Sequence, residues 1–485
     1  MAEPRSPILE MAVGSARDAR GVADGRYSTL VCSIFMLNMV LGTGPLTLPY
    51  AFKQAGLLLG AVFLGVMMSF SFITATFVIE GLAMANRLKC SAGKTLEEGS
   101  ECSAGAAHSD DSTQESTLSA QQEVQEEIVE RFEIGKIAEA VMPPRLRTLS
   151  YLVLILYAYG VLTVYVISGC ASVAKEVGTI RSIDPYRPLL CCFVLLVSPI
   201  CLLDFQRTRP LQIFIGIARV ATVFLMILVM VRYNWLRPAE ETRRKLADIP
   251  LWNPAGLPSL FGNAAFTFMI HHSIPGLVFP LRRHQASHRA IACTYVFSYG
   301  LYLALCGLAL LSFGDVTWEE CENTPSHPCE IHGLFNTNFS SADYQWAAKF
   351  VVLYPILVVS VFPLVAITLR NNLKAFCGWP STASSSLDVH NLLFTLLAIG
   401  PPFAVATITR DVQVVMKYVG CYFGLGLMFL VPSLIFLYSR RAAADTALGL
   451  PSLRAPVGGR AAAWGTLAAF GAAVVFNTVS LAAGD

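Results

Sequence analysis

The stretch that decides the fold lies near the start of the chain, where residues 38–49 read Asn-Met-Val-Leu-Gly-Thr-Gly-Pro-Leu-Thr-Leu-Pro. It is part of an apolar segment, residues 28–50, that is long enough to cross a bilayer as a helix. Gly42 and Gly44 lower the stability of a helix, and Pro45 removes a backbone donor and collides with the preceding turn. Because lipid offers no partner for freed peptide groups, such an interruption is tolerated where it lines a cavity or binds a ligand. The stretch therefore predicts a broken membrane-spanning helix.

The composition of the whole chain agrees with a membrane location. Of its 485 residues 54% are hydrophobic and 14% are charged, and the mean hydropathy is +0.56. A soluble protein carries about 25% charged residues, so an ordinary cytosolic enzyme is excluded. The net charge of +2, without a basic patch, gives no reason to expect a nucleic acid partner. These values predict an all-α polytopic membrane protein whose main contact is the lipid bilayer.

Eleven apolar segments are predicted to span the membrane. The first ten form two sets of five, residues 28–231 and 258–438, and residues 461–482 add one helix. Because five is odd, the second set is inserted upside down relative to the first. The predicted spans are 28–50, 57–82, 149–172, 188–203, 211–231, 258–281, 290–313, 347–369, 391–409, 413–438 and 461–482.

The distribution of Lys and Arg predicts the orientation of these spans. Residues 1–27 are a polar tail without an apolar core, so no cleavable signal peptide is expected, and this tail is predicted to be cytoplasmic. The acidic segment 83–148 falls on the same side, and its Ser-, Gly- and Ala-rich part, 91–120, is predicted to be disordered. Apolar residues at helical spacing after residue 120 predict an amphipathic helix that packs under the bundle.

The loop 314–345 is predicted to be exoplasmic or luminal because it contains no Lys or Arg. Asn338 begins the sequence Asn-Phe-Ser, a glycosylation signal, and Cys321 and Cys329 form a pair in the same loop. An oxidising compartment permits a disulfide between these two cysteines and a glycan on Asn338. The alternative is two free thiols and an unused signal. The membrane is predicted to be the plasma membrane or that of lysosomes or endosomes.

A second interruption occurs in the first span of the second set. Residues 266–276 read Phe-Thr-Phe-Met-Ile-His-His-Ser-Ile-Pro-Gly, with a Pro-Gly pair beside two ionisable side chains. One proline kink in a membrane helix is common. Broken helices at matching positions of two inverted halves, however, predict the binding site of a secondary transporter.

Residues 38–56 resemble the opening helix of the amino acid/auxin permease family. The likeness runs from about residue 27 to residue 438 and is closest to one little-characterised branch of the family, on residues 76–80, 204–206, 272–275 and 366–372. It implies a LeuT-like inverted repeat and the proton- or sodium-coupled movement of amino acids. Pro45 departs from the small or apolar residue that the family usually has at this position.

The two interruptions supply the candidate substrate site. Gly42, Thr43 and Gly44 are predicted to bind a substrate carboxylate through their backbone amides, although close helix packing also explains small residues there. Phe268, His272 and Ser273 are predicted to contribute from the second break. Adjacent helical positions point about 100° apart, so we expect only one of the two neighbouring histidines to face the site. His272 is the preferred one, as a proton-coupling group, and a neutral histidine bonded to a neighbouring helix is the alternative.

A sodium ion is the only bound cofactor that the resemblance implies. Its predicted ligands are the side-chain oxygen of Asn38 and the hydroxyl of Ser360, completed by backbone oxygens. Arg219 lies inside a span and needs a partner, for which Asp204, Glu80 and carbonyls freed by the broken helices are the candidates. A structural clamp or a cytoplasmic gate is the predicted role of this arginine. For Glu80, simple solvation at the membrane interface is the alternative.

The leading functional hypothesis is a secondary active transporter of small amino acids. A non-transporting sensor of the same fold, which signals to a cytosolic partner through the 83–148 loop, is the alternative. The sequence contains no metal-ligand spacing and no catalytic constellation. An enzyme that uses a histidine of the second break as a general base would lack a second catalytic group, so we predict that the protein is not an enzyme.

Overall fold

The computed structural model describes most of the chain, and all its regular elements there are helical. A single parallel bridge between Tyr27 and Leu281 is the one strand-like pairing within the described residues. The described ranges are residues 26–101, 128–178, 184–202, 209–313, 330–340, 349–351, 353–379, 389–446 and 448–482.

The α-helices are numbered here in chain order. They are α1 (Thr29–Val40), α2 (Gly44–Ala55), α3 (Leu57–Glu101), α4 (Ile134–Val141), α5 (Pro144–Val177), α6 (Tyr186–Leu202), α7 (Arg209–Leu236), α8 (Ala239–Asp248), α9 (Leu257–Thr267), α10 (Ile274–Val278), α11 (Ser287–Ser312), α12 (Leu353–Val359), α13 (Phe362–Phe376), α14 (Val389–Ile408), α15 (Val412–Val415), α16 (Val431–Asp445) and α17 (Arg460–Ala482). Short 3-10 turns cover Pro254–Gly256, His271–Ser273, His284–Ala286 and Phe335–Ser340.

The helices have the length and polarity of an integral membrane protein. Within the described residues, eight helical stretches are long and apolar enough to cross a bilayer. The pair α1 and α2, bent by 54°, makes a ninth if it is counted as one span. The chain is therefore a polytopic, all-helical membrane protein, as its composition predicts.

Three breaks and one distorted segment interrupt these helices. Residues 41–43 separate α1 from α2, residues 268–273 separate α9 from α10, and residues 360–361 separate α12 from α13. Proline occupies the first turn of the helix after each break, where a missing amide hydrogen does no harm. Between α15 and α16 the chain forms π-helix over Met416–Gly424 and Gly426–Leu430.

The π-helical segment packs closely against α9. A side chain on Gly420 would begin 2.4 Å from the carbonyl oxygen of Gly262, and one on Gly262 would begin 2.4 Å from that of Met416. Only glycine permits this approach of two backbones. The contact fixes the first half of the broken pair α9 and α10 against the distorted helix.

The bundle has two ends, named here by what they hold. The N-terminal face holds Tyr27, whose amide donates to the Pro280 carbonyl at 2.9 Å. The opposite face holds Gly56, next to the segment that precedes α9. On the N-terminal face α3 continues as a helix to Glu101, and residues 102–120 of the segment predicted to be disordered lie outside the described residues. Ile128, Phe132 and Ile137 are buried there, because the segment after the acidic loop packs under the bundle.

Candidate functional site

Tyrosine hydroxyls satisfy the carbonyl groups that the first break sets free. Tyr302 on α11 donates to the carbonyl of Val40 at 2.8 Å. Tyr354 on α12 donates to the carbonyl of Gly42 at 2.7 Å and also to that of Leu41. The negative end of α1 is thus capped by side chains of two other helices, which offsets the cost of an unpaired carbonyl in the membrane.

The amides at the start of α2 have a different environment. Within the described part of the chain, the amides of Gly42, Thr43 and Gly44 have no hydrogen-bond partner. They lie at the positive end of α2, where an anion is favoured. A side chain on Gly44 would begin 2.5 Å from the Tyr302 hydroxyl oxygen, so glycine is required there. The geometry is compatible with the predicted carboxylate site, which stays a prediction.

Arg219 binds backbone and amide oxygens instead of a carboxylate. It is only 2% exposed, and its guanidinium donates to the carbonyl and the side-chain oxygen of Asn38, at 3.1 and 3.0 Å. It also donates to the carbonyls of Leu357 at 2.7 Å and Val358 at 3.4 Å. Of its three predicted kinds of partner, carbonyls beside broken helices are the ones observed. The arginine clamps α7 to α1 and α12.

The two side chains predicted to bind sodium are engaged elsewhere. The side-chain oxygen of Asn38 accepts from Arg219, whose guanidinium therefore lies against the predicted cation ligand. The hydroxyl of Ser360 donates to the carbonyl of Leu357 at 2.5 Å within its own turn. The chain thus supplies a fixed positive charge at an oxygen where the sequence predicted a bound cation.

The second break is secured by a serine and a tyrosine. Ser71 on α3 and Tyr295 on α11 donate to the carbonyl of Phe268 at 2.9 and 3.0 Å, and their hydroxyls lie 2.9 Å apart. The ring of Phe268 is fully buried against Tyr295 and Tyr302, with centroid separations of 5.2 and 6.3 Å. The ring of Phe268 therefore packs into the core, and its contact with substrate stays a prediction.

The two neighbouring histidines point to different surroundings. His271 is fully buried, and its Nε2 lies 2.9 Å from the Thr74 hydroxyl oxygen. His272 is partly exposed, its ring centroid lies 5.9 Å from that of Tyr157, and its Nδ1 has no partner among the described residues. Ser273 is partly exposed as well. His272 and Ser273 therefore form the accessible side of this break.

Glu80 lies in a buried ion pair on the N-terminal face. Its side chain is fully buried and accepts from Arg440 Nε at 2.8 Å and Nη2 at 3.3 Å. The amide of Ala455 donates to the same carboxylate at 2.8 Å. The interpretation of Glu80 as a solvated interface residue is wrong, and so is its proposed pairing with Arg219. The carboxylate instead joins α3 to α16 and to the segment before α17.

The predicted glycosylation site is buried. Asn338 is 3% exposed, its Nδ2 donates to the Glu330 carbonyl at 2.8 Å, and its Oδ1 accepts from the His332 amide at 3.0 Å. A glycan on Nδ2 has no room in this arrangement, so the glycan prediction does not fit the folded loop. Asp204, Cys321 and Cys329 lie outside the described residues, and the predicted disulfide stays a prediction.

Hydroxyl groups inside apolar helices are the site residues that the sequence analysis missed. Tyr295, Tyr302, Tyr354 and Ser71 all cap freed carbonyls, as described above. Their only sequence signal is a buried polar group in an apolar segment, which is common in membrane helices. Among the described residues, no group of three or more His, Cys, Asp or Glu side chains comes together to hold a metal ion.

The class of the protein follows from comparison of its structure with solved structures. No family model matches the chain. Its fold is similar to that of a manganese transporter from Eremococcus coleocola, with a TM-score of 0.53, 11% identity and coverage of 93% of this chain and 85% of that one. A mutant of the same transporter gives a TM-score of 0.52 at 12% identity. The chain is therefore a polytopic membrane protein with a fold that a transporter also has.

Similarity of the amino-acid sequence to known proteins establishes the family. The transmembrane protein 104 homolog of Dictyostelium discoideum is 31% identical over 458 residues, which cover 87% of this chain and 91% of the relative. Human transmembrane protein 104 is 28% identical, over 86% of this chain and 88% of the relative. The chain belongs to the transmembrane protein 104 family.

Proposed function

We propose that the chain is a secondary active transporter that moves small amino acids by alternating access. The observation that carries the proposal is the position of Tyr302, which joins the two breaks. Its hydroxyl caps Val40 at the first break, and its ring packs edge-on against Phe268 at the second. Two broken helices that meet inside a membrane bundle are the arrangement in which transporters bind their substrates.

The proposed architecture is a LeuT-like repeat of five plus five helices with α17 added, as the resemblance to amino acid/auxin permeases implies. It counts eleven spans: the eight long stretches, the bent pair α1 and α2, the short apolar α6, and the pair α9 and α10. The two broken pairs, α1 with α2 and α9 with α10, open the two sets. Their equivalent positions support the repeat between residues 28–231 and 258–438.

The substrate is proposed from the chemistry of the breaks. The amides at the start of α2 suit a carboxylate, and His272 and Ser273 add polar groups from the other side. Manganese prefers carboxylate and other oxygen ligands. The described residues contain no cluster of acidic or histidine side chains for such an ion, so a zwitterion suits the site better than a metal.

Protons are the proposed coupling ion rather than sodium. Arg219 already places a permanent positive charge on the side-chain oxygen of Asn38 and on two carbonyls of α12. A second cation there would be repelled. His272, by contrast, carries an imidazole, the type of side chain that proteins use most often to pick up and release protons, and has an Nδ1 without a partner among the described residues.

Uptake into liposomes tests both parts of the proposal. The purified chain is reconstituted, and uptake of each labelled amino acid is measured under an inward proton gradient or an inward sodium gradient, with empty liposomes as the control. We expect saturable uptake of small amino acids that the proton gradient drives and the sodium gradient does not. Absence of saturable uptake for every amino acid would contradict transport, and sodium-driven uptake would contradict the coupling.

A sensor is the second candidate, because the acidic loop ends beside the second break. The Arg131 guanidinium lies 3.2 Å from where a side chain on Gly276 of α10 would begin. The side-chain oxygen of Asn86 accepts from the amides of Val129 and Glu130, which holds this segment in place. A sensor would bind labelled amino acid without flux. Deleting residues 102–127 would then abolish recruitment of a cytosolic partner and leave ligand binding unchanged.

A further inference from the structure

A short turn on the opposite face is inserted between the transmembrane helices. Residues Phe335 and Phe339 of this turn are fully buried and pack edge-on against Phe313 at the end of α11. Asn336 donates to the Ser172 hydroxyl of α5 at 2.9 Å. The turn, defined here as residues 330–340, is therefore a buried cover and not a free loop.

Polar contacts tie this cover to both broken pairs. Gln413 donates to the Gly333 carbonyl at 2.7 Å and more weakly to that of Thr47 on α2 at 3.4 Å. Its side-chain oxygen accepts from Asn263 on α9 at 2.9 Å. Lys53 at the end of α2 forms an ion pair with Glu330 at 2.7 Å. The cover thus closes the ends of α2 and α9 that lie away from the N-terminal face.

His332 organises the inside of the cover. Its Nδ1 accepts from the Leu334 amide at 3.2 Å, and its own amide donates to Asn338 Oδ1 at 3.0 Å. Asn338 in turn donates to the Glu330 carbonyl at 2.8 Å. A nitrogen that accepts a hydrogen bond must be unprotonated, so this network exists only while Nδ1 carries no proton.

Charged groups from each neighbouring element act on His332. Lys175 at the end of α5 opposes a positive imidazole, whereas Glu330 in the cover and Asp411 before α15 favour one, and Lys53 is held by Glu330. Burial, followed by Lys175, lowers the pKa of His332 below its usual 6.5. A lowered pKa in the folded state means that the neutral imidazole stabilises the closed cover above pH 6.5. That stabilisation is lost as the pH falls below 6.5 towards the lowered value.

We propose that the 330–340 cover is an acid-sensitive gate, which opens when His332 takes up a proton from the opposite face. Protonation of Nδ1 removes the acceptor for the Leu334 amide and places a positive charge beside Lys175. The cover then separates from α2 and α5 and admits solutes to the breaks. A gating role for the cover rests on the proposed transport function, but opening of the cover can be measured without transport.

Thiol labelling of a buried position measures this opening. Thr337 is 4% exposed, and Thr337→Cys places a small thiol inside the cover. The purified variant is labelled with a maleimide between pH 7.5 and 5.0, and the peptide is quantified by mass spectrometry. His332→Asn is the matched control, because an amide oxygen accepts from Leu334 at every pH. The ratio of the labelling rates in the two backgrounds removes the intrinsic pH dependence of the thiol reaction.

The labelling rate with His332 divided by the rate in the His332→Asn background is expected to be near one at pH 7.5. At pH 5.0 this ratio should rise by up to about 30-fold. That is the factor expected when an imidazole of pKa 6.5 is protonated in the open form but not in the closed form. His332→Arg, which carries a permanent charge, is expected to label rapidly at pH 7.5. An equal pH profile with and without the His332→Asn change, or slow labelling of the arginine variant, would overturn the proposal. Neither result depends on whether the protein transports amino acids.

Discussion

The two breaks interrupt their helices in similar ways but are secured by different chemistry. At the first break the carbonyls accept from Arg219, Tyr302 and Tyr354, which come from three other helices. These groups do not change charge near neutral pH, since arginine stays protonated and a tyrosine hydroxyl stays neutral. The second break has two capping hydroxyls, from Ser71 and Tyr295, and two histidines beside them.

The difference assigns different roles to the two breaks. Each hydrogen bond from a charged donor contributes about 1.5–3 kcal/mol, so the guanidinium contacts make the first break the more rigid. At the second break the Nδ1 atoms of His271 and His272 both lack a partner within the described structure, and imidazole is the type of side chain that proteins use to take up protons. The first break is thus a fixed frame, and the second is the one that can respond to protons.

Removing the fixed charge should have the largest effect. Arg219→Met leaves both the carbonyl and the side-chain oxygen of Asn38 without their donor in a buried place. The carbonyls of Leu357 and Val358 keep their bonds from the Ser360 hydroxyl and the Val361 amide. Each unsatisfied buried acceptor costs about 1–3 kcal/mol, so we expect a loss of about 3 kcal/mol or more and little folded protein. Thermal unfolding in detergent, followed by size-exclusion chromatography, measures this loss. Arg219→Lys is the control and should be intermediate, because it keeps the charge but has fewer donors in a fixed plane. Equal melting temperatures for wild type and Arg219→Met would show that the clamp does not hold the frame.

Crowding the first break should have the next largest effect. Gly44→Ala places a methyl group 2.5 Å from the Tyr302 hydroxyl oxygen, which is held by Val40. Overpacking of this kind costs about 1–3 kcal/mol. Gly42→Ala is the matched control, because its nearest neighbour is 3.3 Å away.

A double-mutant cycle shows whether the tyrosine causes this cost. Tyr302→Phe removes the hydroxyl, which is the atom closest to the methyl group of Gly44→Ala, and so relieves part of the clash, while the ring carbons Cζ and Cε1 stay at 2.9 and 3.0 Å. We expect the double variant to melt at a higher temperature than the sum of the two single changes predicts. Strict additivity would mean that the clash with Tyr302 is not what makes glycine necessary.

The capping hydroxyls give a smaller effect that compares the breaks directly. Tyr354→Phe removes the donor to two carbonyls, Leu41 and Gly42, and should cost about 1–2 kcal/mol. Tyr295→Phe leaves Ser71 on the Phe268 carbonyl and should cost less than about 1 kcal/mol. The measurement is the difference between the two melting temperatures. A larger loss for Tyr295→Phe would reverse the assignment of the rigid break.

The sequence predicts those parts of this arrangement that depend on local chemistry. Gly42, Gly44 and Pro45 cannot continue a helix comfortably, and α1 ends at Val40 and α2 begins at Gly44. Apolar segments identify the membrane class in the same local way, because the bilayer acts on every span alike. The segment after residue 127 packs under the bundle through Ile128 and Phe132, as its spacing predicts.

Contacts between distant residues could not be predicted. Arg219 meets Asn38 across 181 positions, and Glu80 meets Arg440 across 360, so no local pattern records either pair. The third break, at residues 360–361, has Pro363 as its signal, but a lone proline does not distinguish a break from a kink. Asn338 carries a valid glycosylation signal, and only the folded loop reveals that its side chain is buried.

The two histidines give the smallest expected change in stability and the sharpest test of the responsive break. His272→Gln removes a partly exposed ring without a partner for its Nδ1 in the described structure, so the melting temperature should change little. His271→Gln disturbs the bond to Thr74 and should cost about 0.5–1.5 kcal/mol. In liposomes, His272→Gln should abolish the dependence of uptake on the proton gradient, whereas His271→Gln should keep it. If both variants keep that dependence, the proton is carried elsewhere, and the second break is as fixed as the first.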